Sequence, residues 1–343
     1  MTEKERTLTY RQAINEGLRL AMREDPTVIL IGEDQAGGAG CDPGLRDAWG
    51  GPFGVTKGLI GEFGPERVID TPISEMAFIG AAVGAAMTGL RPVTDLMYIS
   101  FVGVCLEQIL NQAAKARYMS GGRVSVPVTI RTTTGAGMGV GAQHSDSIYS
   151  LFVHIPGLKV VAPTTPYDAK GLLLAAVRDD DPVIFVENKM LYNTRGPVPE
   201  GDYSIPLGKA DVRRQGVDVT MVAISRMVLV ALEAASALEK EGCSAEVIDA
   251  RSLSPLDTET ILASVKKTGR LIVVDEDYPQ CGMASEIAAE VSSRAFRYLK
   301  QPVQRITPPH AHVPFSPVLE QCYLPDARRI VECAQGLMTK TAT

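Results

Sequence analysis

Several residue types that commonly announce chemistry are scarce here. The 343-residue chain has four histidines, one tryptophan and six cysteines. The cysteines (Cys41, Cys105, Cys243, Cys281, Cys322, Cys333) show no CxxC spacing, which disfavours a zinc site or a redox dithiol. Scattered thiols of this kind fit a reducing, cytoplasmic setting. No basic tract stands out against a net charge of −6, so nucleic acid is not an expected partner. The longest apolar run, residues 76–90, is too short to span a bilayer comfortably. Residues 1–10 are charged and lack the apolar centre of a secretory signal. There is no P-loop, and no Ser-His-Asp order supports a hydrolase triad. Cys105, within a helical pattern, reads as packing rather than as a nucleophile.

What is present is the composition of a folded protein, 45% apolar and 22% charged, with length enough for two domains. Apolar residues at helical spacing over 9–24 stop at Asp25-Pro26, and residues 27–32 form an apolar strand. Strand-like runs at 67–70, 91–98, 124–132, 158–162 and 182–187 alternate with helical patterns at 76–90, 101–119 and 167–178. Such alternation implies an α/β fold with a mostly parallel sheet covered on both faces. The pattern lapses over 192–206, where Arg195-Gly196-Pro197-Val198-Pro199 marks a boundary. It resumes with strands at 218–224, 245–249, 270–275 and 303–307 and helices at 227–241, 257–267, 284–299 and 325–338. Two α/β domains are expected, at 1–195 and 206–343.

The stretch from Thr71 to Leu90 carries an anomaly. Thr71-Pro72 breaks what precedes it, and Ser74 is a good N-cap. From Met76 onward every residue except Thr88 is apolar or glycine. A helix apolar all round is expected to be buried on all sides. Its small residues (Gly80, Ala81, Gly84, Ala85) let another helix approach closely. Glu75 is the lone carboxylate, in the first turn. It can serve merely to complement the helix dipole. At the mouth of a buried seam, a proton-handling role in a cofactor pocket is the sharper reading. His144 follows a loop with glycine at every second position, Gly135 to Gly141, which can wrap closely around a ligand. A histidine there can move a proton or stabilise an oxyanion, and a loop histidine satisfied by backbone is an equal alternative. Residues 137–142 also fit a dinucleotide-binding pattern, but the strand at 158–162 does not end in the acid that should hold a ribose. Residues 35–54 form a long glycine-rich loop with Trp49, of a length that is often functional.

Arg67-Val68-Ile69-Asp70-Thr71-Pro72-Ile73-Ser74-Glu75 resembles the signature of β chains of thiamin-diphosphate-dependent 2-oxo-acid dehydrogenase decarboxylase components. Leu90-Arg91-Pro92-Val93, Ala142-Gln143-His144-Ser145, Pro156-Gly157-Leu158-Lys159-Val160-Val161 and Asp168-Ala169-Lys170-Gly171-Leu172 match in order. Within that group, Gly32-Glu33-Asp34 with residues 36–40, 47–51 and 54–59 looks most like acetoin dehydrogenase β chains, with pyruvate dehydrogenase β chains next.

The resemblance implies a pyrimidine-type thiamin-diphosphate-binding domain followed by a transketolase C-terminal-like domain. It implies a cofactor held between two chains, this one on the pyrimidine side. Glu75 matches the glutamate that hydrogen-bonds the pyrimidine and helps its amino group take the thiazolium proton. Met97 and Phe101 match apolar packing positions, Glu33 an acid near the cofactor, and His144 the histidine facing substrate and lipoyl acceptor. Some members hold a potassium ion. The matching places are Val128, Ala176, Asp179 and Asp181, mostly through backbone oxygens, with Asp181 replacing a common Asn.

The diphosphate signature, Gly-Asp-Gly followed by Asn-Asn, is missing; Gly201-Asp202 leads into Tyr203. Mg2+ and diphosphate are therefore expected on an α chain, in an assembly of two α and two β chains docked to a dihydrolipoamide acyltransferase core. The implied activity is cleavage of acetoin, or decarboxylation of pyruvate or another 2-oxo acid, with acyl transfer to lipoamide. Two other classes compete. A non-catalytic scaffold subunit would have cofactor far from Glu75 and Phe101. An NAD-binding oxidoreductase would bind NADH tightly through the glycine loop.

Overall fold

The computed structural model describes residues 6–37 and 49–339. Most of the loop expected over 35–54 therefore lies outside the described residues, as do Cys41 and the 38–40 and 47–48 parts of the sequence resemblance. The chain divides into two compact units, Met1–Thr134 with Leu151–Leu207, and Gly135–Ser150 with Gly208–Thr343. The glycine loop and His144, expected within residues 1–195, thus pack with the second unit.

In the first unit, β1 (Thr7–Thr9) leads into α1 (Tyr10–Glu24), whose start is fixed by a capping box between Thr9 and Gln12. Next come β2 (Val28–Gly32), α2 (Leu59–Phe63), β3 (Val68–Asp70), α3 (Glu75–Met87) and β4 (Arg91–Tyr98). Spacing predicts one helix over 101–119. The chain instead passes through a 3-10 turn (Ile99–Phe101), α4 (Val102–Glu107), a π-helical stretch (Gln108–Ala113) and α5 (Ala116–Met119). A π turn shifts the 3.6-residue register that sequence spacing relies on. Then follow β5 (Thr129–Thr134), α6 (Ser150–Val153), β6 (Lys159–Val161), α7 (Pro166–Arg178), β7 (Val183–Asn188) and β8 (Arg195–Pro197).

The strands run in the order β6-β7-β5-β4-β2-β3, all parallel. β1 and β8 pair antiparallel, separately. β2, β5 and β7 are buried along their whole length, as a sheet covered on both faces requires. From β2 the chain goes to β3 on one side and then to β4 on the other. Such a reversal, at the C-terminal strand ends, is the general ligand position of doubly wound sheets.

α3 departs from the expectation of burial on all sides. Phe78, Ile79, Ala82, Val83 and Ala86 are buried, but Met76, Ala77, Ala81, Gly84 and Met87 are exposed on this chain, and Ile73 just before them is 78% exposed. Nor does the Ser74 side chain cap the helix. An all-apolar helix carries no periodic signal of which face its own chain covers.

The second unit contains β9 (Asp211–Arg214), β10 (Val219–Ala223), α8 (Met227–Lys240), β11 (Ala245–Asp249), β12 (Ser252–Ser254) and α9 (Thr258–Thr268). It continues with β13 (Leu271–Val274), α10 (Met283–Ala295), β14 (Gln304–Ile306), α11 (Pro317–Tyr323) and α12 (Ala327–Thr339). Its sheet order is β14-β13-β10-β11-β9, parallel except for β9. Val228, Ala231 and Leu238 of α8 pack with Ile330, Ala334 and Leu337 of α12 over Met221, Val247 and Ile272. Among the described residues no helix is long and apolar enough to cross a membrane.

Just past β13, Asp275 and Asp277 are buried. The Tyr149 hydroxyl donates to Asp275, and the Ser150 and Tyr278 amides donate to Asp277 at 3.3 and 2.6 Å. Burial, and then the Asp275 charge, push the Asp277 carboxyl up to about 8. An unfolded aspartate releases its proton near ~3.9, so between the two values the folded chain holds the extra proton and loses stability as pH rises. The thermal midpoint should therefore fall between about pH 5 and about pH 8, and Asp277→Asn should flatten that slope. Parallel pH profiles for wild type and variant in thermal scans would refute the assignment.

Candidate active site

The C-terminal ends of β2, β3 and β4 bring together the cofactor residues expected in the first unit. Glu33 follows the last residue of β2, and Glu75 opens α3 after β3. Met97 lies at the end of β4, and Phe101 closes the 3-10 turn after it. All four are half-buried. Burial, followed by the charges of Asp34, Glu75 and Asp95, pushes the Glu33 carboxyl above the usual carboxylate range. The strand ends thus gather several acids around Glu33. Cys105 is fully buried beside them, and its thiol lies 3.7 Å from the Phe101 carbonyl oxygen. Burial and then Glu75 push that thiol up to about 12, so it is packing and not a nucleophile.

A row of aromatic rings starts at Phe101. Phe101 stands edge-on to Tyr98 at 5.3 Å, Tyr98 edge-on to Phe53 at 5.9 Å, and Phe53 stacks on Tyr192 at 5.1 Å. At Gly80 a Cβ would lie 3.1 Å from the Gln108 carboxamide oxygen, so α3 and the π-helical stretch approach closely there.

Beneath the crevice lies a buried charge network that the sequence reading missed. Arg131, in the middle of β5, is fully buried. Its Nε and Nη2 donate to the two oxygens of Glu187 on β7 at 2.7 and 3.1 Å, and its Nη1 donates to Asp95 on β4 at 3.3 Å. The Tyr192 hydroxyl donates to Glu187 at 2.7 Å, and the Gln35 amide to Asp95 at 3.3 Å. Burial pushes the Glu187 carboxyl upward, and the Arg131 charge pulls against it. The signal that could have found this network is the charge itself. Asp95, Arg131 and Glu187 each interrupt a strand of a sheet buried on both faces, where unpaired charge is not tolerated.

His144 belongs to the second unit, so it is described apart from Glu75. It ends a 3-10 turn, Ala142–His144, at the close of the glycine loop. That loop does not cradle a free anion site. The Gly137 and Gly139 amides donate to the two oxygens of Glu320, a buried carboxylate on α11, at 2.6 and 2.9 Å. The Arg226 guanidinium also donates to Ala136 O at 3.4 Å, and the Tyr278 hydroxyl to Asp146 at 2.8 Å. Two of the loop amides are thus already taken by a carboxylate of this chain, which weakens the case for an NAD site there.

Of the potassium candidates, the Asp179 and Asp181 carboxylates are paired with Lys159 at 2.7 and 3.2 Å, and Asp181 also with Arg117 at 2.5 Å. The carbonyl oxygen of Val128 accepts from the Val183 amide, and that of Ala176 from the Asp179 amide. Any cation here would have to rely on the second lone pairs of backbone oxygens.

Residues 6–195 match the family described as transketolase, pyrimidine binding domain, and residues 208–330 the family described as transketolase, C-terminal domain. The chain is 56% identical over 339 residues to the acetoin:2,6-dichlorophenolindophenol oxidoreductase subunit beta of Bacillus subtilis (strain 168), covering 98% of this chain and 99% of that protein. It is 55% identical over 333 residues to the subunit of the same name from Cupriavidus necator, with 97% and 98% covered. The pyruvate dehydrogenase E1 component subunit beta of Bacillus subtilis is 44% identical over 332 residues, with 96% and 98% covered. A solved split-gene transketolase, an inactive β4 tetramer, aligns with a TM-score of 0.76 at 24% identity over 97% of this chain and 99% of its own, a likeness of fold. Fold and strand-end site together define a two-domain α/β protein of the transketolase type, as the sequence predicts. The chain belongs to the thiamin-diphosphate-dependent oxidoreductase β subunits, and its role is enzymatic and cofactor-dependent.

The buried network makes the first unit sensitive to a single change. Arg131→Leu leaves two buried carboxylates without their cation and should cost about 3–5 kcal/mol of unfolding free energy. Adding Asp95→Asn and Glu187→Gln to that variant should restore part of the loss. Urea denaturation measures both, and a loss below about 1 kcal/mol for Arg131→Leu would contradict the network's role.

Proposed function

We propose that this chain is the β subunit of an acetoin dehydrogenase, which cleaves acetoin and passes the acetyl group to lipoamide on an acyltransferase core. Decarboxylation of pyruvate or another 2-oxo acid is the second reading. The single observation that carries the site is the convergence of Glu33, Glu75, Met97 and Phe101 on the crevice at the β2/β4 reversal. Acetoin is preferred because the relatives of that name are 56% and 55% identical, against 44% for the bacterial pyruvate dehydrogenase subunit.

The residues present fit the pyrimidine half of thiamin diphosphate. A half-buried carboxylate stands among other acids, opposite an aromatic and thioether wall. When bound, thiamin diphosphate supplies the carbon that takes up the acyl fragment. Glu75 shares a proton with a ring nitrogen of the pyrimidine. Beside it, burial and the neighbouring acids push the Glu33 carboxyl upward. Met97 and Phe101 pack against the ring and keep water from it. His144 handles a proton at the substrate or at the incoming lipoyl sulfur.

Diphosphate and Mg2+ are assigned to an α chain, since the sequence has no Gly-Asp-Gly motif with a following Asn-Asn. The uncovered strip of α3, from Met76 to Met87, is assigned to a chain–chain interface within an assembly of two α and two β chains. A potassium ion at Val128, Ala176, Asp179 and Asp181, held mostly by backbone oxygens, stays part of the proposal.

Coexpression with an α chain and assay with 2,6-dichlorophenolindophenol as acceptor tests the substrate. Turnover of pyruvate but not acetoin would overturn the preference. In that assembly, Glu75→Gln should leave the subunits together and slow deuterium exchange at the thiazolium carbon by on the order of 10²-fold or more. Exchange at the wild-type rate would remove Glu75 from the role. His144→Ala should spare that exchange and lower lipoamide-dependent turnover by on the order of 10²-fold. Unchanged steady-state kinetics would discard it.

A further inference from the structure

Met97 is held in a conformation its side chain does not choose. Its φ is +49°, in the left-handed region that long unbranched side chains avoid. Asp34, which shares this feature nearby, has a short polar side chain that tolerates it; methionine has no such local compensation. The residue sits where the pairing of β4 with β5 shifts register, between Asp95 and Tyr98. Such bulges re-aim a side chain at the end of a strand. Up to Leu96 the strand is buried, and from Met97 it is half-exposed.

Both backbone groups of Met97 are gripped by side chains. Its amide donates to Asp95 Oδ1 at 2.8 Å, and its carbonyl oxygen accepts from the Thr133 hydroxyl at 2.5 Å. Asp95 cannot swing away, because its other oxygen takes the Arg131 guanidinium and the Gln35 amide, each at 3.3 Å. Arg131 is locked in turn by Glu187, and Glu187 by Tyr192.

We infer that Asp95 and Thr133 are positioning residues, which hold the Met97 backbone left-handed and so set the wall against which the pyrimidine packs. The inference rests on the cofactor reading above. Strained backbone at a binding site persists only where the surroundings over-determine it. Here a buried ion network supplies that constraint from below and two side-chain hydrogen bonds deliver it. The Asp95 carboxylate therefore acts on the cofactor through Met97 rather than by contact.

The test is a double-mutant cycle on the assembled α–β protein, read as the dissociation constant for thiamin diphosphate by titration calorimetry in excess Mg2+. Asp95→Asn should weaken binding about tenfold, the equilibrium equivalent of the strain released. Glycine adopts a positive φ without restraint. In a Met97→Gly background, already weakened by the lost side chain, Asp95→Asn should therefore add less than about twofold. Met97→Leu should bind nearly as wild type. The same tenfold loss in both backgrounds would mean that Asp95 serves the general stability of the unit, and would overturn the inference. Thr133→Val removes the second grip without removing buried charge. It should show the same dependence on residue 97, and it decides the matter should the Asp95 variant fail to assemble. A readout independent of cofactor is hydrogen exchange at the Met97 amide, which should be protected in wild type and released in Asp95→Asn. Equal exchange in the two would also overturn the inference. Failure of the wild-type assembly to bind thiamin diphosphate, or indifference of binding to Phe101→Ala, would sink the cofactor reading instead, and amide exchange would still judge the grip on Met97.

Discussion

A guanidinium buried in the middle of a parallel sheet constrains everything around it. Arg131 has lost its water, and the loss is offset only when all its donors meet acceptors of opposite charge. Glu187 and Asp95, on the two strands that flank β5, supply them. The three strands are thereby fixed to one another by directional bonds as well as by the apolar packing of their faces. Apolar packing tolerates small slips; a forked guanidinium–carboxylate pair does not. Such a network defines relative strand position near the ends that carry the site. Asp95 faces both ways. One oxygen belongs to the core and the other reaches the backbone of Met97, so the electrostatics of the core become the geometry of the crevice.

The same economy of charge explains the acids above it. Glu33, Asp34, Glu75 and Asp95 act on one another within a part-buried crevice, and Arg131 is already committed below. Carboxylates gathered this way raise the cost of ionising the one that is most desolvated. The upward shift at Glu33 shows where the balance leans.

What was legible in the sequence follows from which physical signals are local. The alternation of strands and helices and the break at Asp25-Pro26 are set by neighbours in the chain, and they appear where expected. Glu75 stands out in the sequence as one charge on an apolar helix, and it opens α3. The Arg131 network was not recognised, since its members are 36 and 56 residues apart and each alone resembles a polar strand residue. The allegiance of the His144 segment was equally hidden. It is decided by Glu320, nearly two hundred positions later, whose carboxylate satisfies two loop amides. The π-helical stretch after α4 has no sequence period of its own, so the spacing promised a single helix.

The half-covered α3 shows how composition can be right about burial and wrong about who provides it. Apolar residues on every side require an apolar neighbour on every side. The fold of this chain covers Phe78, Ile79, Ala82 and Val83, and leaves Met76, Ala77, Ala81 and Gly84 to water. A lone apolar side chain on a surface means little, but a continuous strip along a helix, extended by Ile73 and by Val104 on α4, is a different matter. Glycine and alanine on that strip expose little area each, so they gain mainly by letting another backbone come close. The helix that opens with Glu75 is therefore also the helix most in need of a partner surface. A carboxylate at its first turn would pass from half-buried to enclosed when that surface arrives. Enclosure lowers the local dielectric and strengthens each interaction of the acid with a bound ring. Under the proposed function, assembly and proton sharing would be a single event, because one short helix would carry both the interface and the acid.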